Sequence, residues 1–81
     1  MTMGITLEIL AKVAKERDSQ DMIWGRHPGA WDASDGLKLA VLMEEVGEVA
    51  SELQNLPTDS DKLKAELIQV AAVAVCWAET L

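Results

Sequence analysis

Two acidic clusters carry the clearest chemical signal in this chain. The first is Glu44-Glu45-Val46-Gly47-Glu48; the second is Glu66-Leu67-Ile68-Gln69. In each, oxygen-bearing side chains recur three residues apart, so on helices Glu45 and Glu48 share one face and Glu66 and Gln69 share another. Both faces are otherwise rich in Leu, Val and Ala. Carboxylates on faces that favour burial need compensation, and a divalent cation with hard oxygen ligands supplies it. Mg²⁺, which is held by a few carboxylates plus water, suits such a set.

The elements that must position these groups follow from composition. The 81 residues make one domain, with an apolar content of 49% but no Phe or Tyr. A core must therefore come from Leu, Val, Ala, Ile, Met and three Trp. Good helix formers dominate and strand-like alternation is missing, so the expected fold class is all-α. Three helices are readable. The first spans about 5–23, with Ile9, Leu10, Val13 and Ala14 as an apolar stripe that continues into Arg17, Gln20, Asp21 and Trp24. Gly25 and Pro28 stop it, and residues 25–30 form a loop. The second is capped by Asp32 or Ser34 and runs to about 53, with Leu39, Leu42, Val46, Val49 and Leu53 as its core stripe. After a break around Pro57, Thr58 or Ser60 caps the third, over about 62–79, with Leu63, Leu67, Val70, Ala74 and Trp77 facing inward. The short connection makes helices two and three antiparallel neighbours, so their acidic clusters face each other. A chain this short buries only about 60–65% of its unfolded surface, and completion of the bundle by self-association is expected.

Charge and cysteine usage exclude several functions. The net charge of −7 argues against nucleic-acid partners, which need clustered Lys and Arg, and against anionic membrane surfaces. The single cysteine, Cys76, sits in an apolar helical run and reads as a small buried hydrophobe; with no disulfide partner and no signal-peptide pattern, a cytoplasmic location is expected.

The stretch Leu42-Met43-Glu44-Glu45-Val46-Gly47-Glu48-Val49-Ala50, followed by Leu63-Lys64-Ala65-Glu66-Leu67, resembles the MazG-like, all-α nucleoside triphosphate pyrophosphohydrolases, whose signature is E-E-x-x-E and then E-x-x-D on the next helix. Glu16-Arg17, Gln20-Asp21, Trp24-Gly25, His27-Pro28 and Trp31 resemble the segment that precedes this signature in short MazG-like proteins. The resemblance extends over roughly residues 9–79. It implies Mg²⁺- or Mn²⁺-dependent hydrolysis of a (d)NTP to monophosphate and pyrophosphate, in a homodimer or homotetramer serving nucleotide-pool housekeeping. By position, Glu45, Glu48 and Glu66 would be metal ligands, and Glu44 a further ligand or the group that orients the attacking water. The last signature Asp is Gln69 here; an amide oxygen can coordinate a cation, but it brings no charge and cannot act as a base.

Several other residues carry two readings. Lys38, two turns before Glu45, reaches phosphate or is a solvated lysine near a helix start. Arg17 and Asp21 contact phosphate, hold the carboxylates, or form an ordinary ion pair. Trp24 and Trp31 stack on a base or pack, and His27 is a substrate contact or an exposed loop residue. Two rivals stand beside the enzyme: a nucleotide-binding protein without turnover, motivated by Gln69, and a helical oligomerisation module with no ligand.

Overall fold

The computed structural model describes residues 2–81, with side chains from residue 4 onward. It is all-helical: α1 spans Thr2–Trp24, α2 Asp35–Gln54 and α3 Ser60–Ala78. Local chemistry sets each boundary. α1 ends on Gly25, whose φ of 63° is the left-handed conformation that closes helices. The Arg26 amide there donates to the Asp21 carbonyl at 2.8 Å, and the Gly25 amide to the Met22 carbonyl at 3.4 Å. Ser34 caps α2, its Oγ accepting from the Leu37 amide at 3.2 Å. Asp59 caps α3, accepting from the Asp61 and Lys62 amides at 3.0 and 3.2 Å. The sequence pointed to Thr58 or Ser60 for that cap. A carboxylate on two amides beside the positive helix end outcompetes a hydroxyl.

α3 is the central helix. It packs against both α1 and α2, which among the described residues do not pack on each other. The molecule measures 38 × 30 × 20 Å, and its radius of gyration of 13.7 Å exceeds the about 12 Å of a closed domain of this length. Three helices in a layer with one uncovered flank account for that extra extent.

The inner faces depart from the apolar stripes expected on α2 and α3. Of the α2 stripe, Leu42 and Val49 are half-buried, but Leu39, Val46 and Leu53 are exposed. The half-buried or buried positions of α2 are instead Lys38, Val41, Leu42, Glu45, Val49 and Glu52, a stripe with three charged members. On α3 the buried apolar residues are Ala72, Val73 and Cys76, while Leu67 and Ala74 lie exposed. Helical periodicity identifies an apolar stripe but not which side of the helix meets a neighbour, and here charged groups take part of the inner side. On α1, Val13 is buried, Ile9 half-buried, and Leu10 and Ala14 exposed. Among the described residues, no helix is long and apolar enough to cross a membrane.

Candidate metal centre and adjoining cleft

Glu45 and Glu48 stand one turn apart on α2, and Glu66 faces them from α3. One carboxylate oxygen of each lies within 4.8 Å of the others, a span that two metal–oxygen bonds of about 2.1–2.5 Å would bridge. The antiparallel register of α2 and α3 creates the meeting. It is pinned at the far end, where Trp77 Nε1 donates to Asp35 Oδ1 at 2.9 Å and Lys38 Nζ to Thr80 Oγ1 at 2.8 Å.

The electrostatics of the cluster are unfavourable as it stands. Glu66 Oε2 is buried and has no hydrogen-bond donor to pair with. The Glu66 carboxyl is held above the usual carboxylate range, first by the hydrogen bond that a proton on it would make to Glu48, then by burial, then by the negative charges of Glu48, Glu45 and Glu52. Glu45 is pushed up as well, by burial first and then by Glu48, Glu44 and Glu16. An acceptor with no donor, among like charges, fits a hard cation: either a proton or a metal ion must balance the set.

Beside the cluster opens a cleft of about 630 Å³. α3 forms its floor through Gln69, Val73 and Cys76, a stripe of two helical turns. Glu16, Gln20, Ile23 and Trp24 of α1 line one wall, and Val41, Glu44 and Glu45 of α2 the other. Arg26 and Trp31 of the connecting loop also line it. Because α1 and α2 are held apart by α3, the space between them stays open. Gly29 lets the loop sit against the end of α3: its φ is 81°, and a Cβ there would come within 3.3 Å of the Glu79 carbonyl oxygen.

The residues singled out in the sequence divide between cluster, cleft and scaffold. Glu44 and Glu45 line the cleft, as do Gln69 and Trp24. Gln69 Oε1 accepts from Gln20 Nε2 at 3.5 Å, tying the amide to α1. Arg17 is buried and braces α1 against the end of α3: it pairs with Glu79, and with Asp21 at 3.2 Å. Burial works against its charge, but the hydrogen bonds with Glu79 and Asp21 outweigh it and raise its pKa above the usual value. Lys38 is only 5% exposed, bonded to Thr80 and 5.8 Å from the Trp31 ring centroid. His27 is exposed, its Nδ1 lying 3.1 Å from the Pro28 carbonyl. Three polar residues of the cleft, Glu16, Gln20 and Arg26, lie outside the set of site residues that the sequence predicts. The i, i+4 spacing of Glu16 and Gln20 was available as a signal; for Arg26, one loop arginine among loop residues, there was none.

Among known proteins, no family model, no curated protein and no solved structure matches this chain.

Proposed function

We propose that the protein is a Mg²⁺-dependent nucleoside triphosphate pyrophosphohydrolase of the MazG-like type, acting in a homo-oligomer. The observation that carries this reading is the meeting of Glu45, Glu48 and Glu66 within 4.8 Å beside an open cleft. The unpaired, buried Glu66 Oε2 supports a cation there. Glu45, Glu48 and Glu66 would hold the ion, which when bound supplies charge stabilisation for phosphate oxygens. Glu44, on the cleft wall one residue from Glu45, would orient a water and accept its proton. The cleft, walled partly by Ile23, Val41 and Val73, excludes part of the bulk solvent from the substrate.

The outward stripe of α2 supports self-association. Leu39, Met43, Val46 and Leu53 recur at intervals of four, three and seven residues and are 40–55% exposed, the spacing of a helix–helix seam.

The reading is tested by pyrophosphate release with Mg²⁺ or Mn²⁺ across a (d)NTP panel. Release that requires the metal supports it; metal and nucleotide binding without release assigns the protein to a binding role instead. That second reading is favoured by one observation, the neutral Gln69 held by Gln20 on the cleft floor.

A further inference from the structure

Arg26 stands apart from the other charged residues of the cleft. It is the single cationic side chain among the lining residues, where Glu16, Glu44 and Glu45 are acidic. Among the described residues its guanidinium makes no ion pair and no hydrogen bond, and its Nε is buried with no acceptor. Trp24 and Trp31 hold it, with ring centroids 6.0 and 5.6 Å from Cζ. Such contacts fix the position of a guanidinium but leave its in-plane donors unused.

Its place along α3 decides what it would meet. The loop that carries it abuts the end of α3 at Glu79, and it lines the cleft together with Cys76. Cys76 lies ten residues, about 15 Å of helix, beyond Glu66. With phosphates at the carboxylate cluster, a group that far along the cleft meets the base of an extended nucleotide rather than its triphosphate. A guanidinium edge presents two parallel N–H donors, so it matches a base edge with two adjacent acceptors. Guanine (O6 and N7) and cytosine (O2 and N3) have such an edge. Adenine and thymine place a donor beside each acceptor.

Resting on the nucleotide reading above, we propose that Arg26 is the base-selecting residue of the cleft and favours substrates whose base carries two adjacent acceptors, guanine or cytosine nucleotides.

The test is calorimetry with Mg²⁺ and the α,β-methylene analogues of the four dNTPs, with Mg²⁺·tripolyphosphate as a base-free probe. Wild-type protein is expected to bind the dG or dC analogue, or both, about 5- to 150-fold more tightly than the dA and dT analogues. Arg26→Gln should level the four while leaving tripolyphosphate affinity unchanged. Equal wild-type affinity for all four overturns the proposal, as does an Arg26→Gln loss that falls equally on tripolyphosphate, which would make Arg26 a phosphate contact. Should that variant fail to fold, the Arg26 Nε–H resonance of wild-type protein decides: it should move on adding the preferred analogue and stay in place with tripolyphosphate, and the reverse pattern overturns the assignment. Wild-type protein that binds neither analogues nor tripolyphosphate removes the nucleotide reading itself, a different failure from binding without base preference.

Discussion

Glu48 and Glu66, when both are ionised, meet across the α2–α3 interface as two acceptors with no donor between them. Glu48→Gln places an amide N–H₂ where the second carboxylate stood. It removes one negative charge beside Glu66 and supplies the missing donor. The variant is expected to be more stable than the metal-free parent by about 0.5–1.5 kcal/mol, a rise of a few degrees in Tm for a domain of this size. Pyrophosphate release should be abolished. Equal turnover in the folded variant would remove Glu48 from the metal centre, and a lower Tm would contradict the electrostatic account.

The pH dependence of the metal-free protein follows from the same groups. Glu45 and Glu66 have folded-state pKa values above their unfolded ones, so the folded state binds more protons than the unfolded state as they titrate. Their contribution to stability is full below the ordinary value of 4.5 and is lost as pH rises through their raised values. Thermal melts without metal should therefore lose stability as pH rises above 4.5. Mg²⁺ should restore it at the upper end, because an ion bound only to the folded state stabilises that state. A metal-free Tm that climbs across this window would sink the assignment.

Arg17 separates a structural role from a catalytic one. It is 5% exposed and pairs with Asp21 and Glu79. Removing a buried partner from such a network costs roughly 3–5 kcal/mol when the remaining charge is also buried. Because Glu79 retains contact with solvent, Arg17→Met is expected toward or below the low end of that range, measured by urea unfolding. Glu79→Gln should cost much less. If Arg17→Met matches wild-type stability, the arginine is not the brace between α1 and α3.

How much of this was legible in the sequence varies by residue. The three helices, the Gly25 stop and the Ser34 cap follow from local chemistry, which needs no neighbours. So does the convergence of Glu45, Glu48 and Glu66, because i, i+3 spacing and a short antiparallel connection together bring them to one level. The inner side of α2 was not legible. Leu39, Val46 and Leu53 match the helical period as well as Leu42 and Val49 do, and only the position of α3 decides which of them are covered. Lys38 illustrates the same gap: its burial depends on Thr80, 42 residues away. Arg26 depends on tertiary context too, since its isolation comes from the loop meeting the end of α3.

The exposed apolar seam of α2 gives a test of association. Light scattering should show more than one subunit per particle. Val46→Glu, at the middle of the seam, places a charge against the facing copy and should shift the population toward monomer while helicity is retained. A wild-type monomer, or an unchanged oligomer in Val46→Glu, would remove α2 from the interface.

Gln69 separates the two functions proposed for the site, turnover and binding alone. One turn after Glu66, it lines the cleft and its Oε1 is held by Gln20. Gln69→Asp replaces an amide with a carboxylate of nearly the same reach and breaks that weak tie. With the cation absent, the added charge joins a set that already repels itself, so the metal-free variant should melt lower than wild type. With Mg²⁺ present, the added oxygen ligand should tighten binding by about tenfold, the size of one charge-assisted contact. The two changes have opposite signs, which separates a ligand from a generally disruptive substitution. Tighter Mg²⁺ binding together with faster pyrophosphate release would mean that the amide limits turnover in the parent. Unchanged affinity by calorimetry would place residue 69 outside the ligand set and leave Glu45, Glu48 and Glu66 as the whole of it.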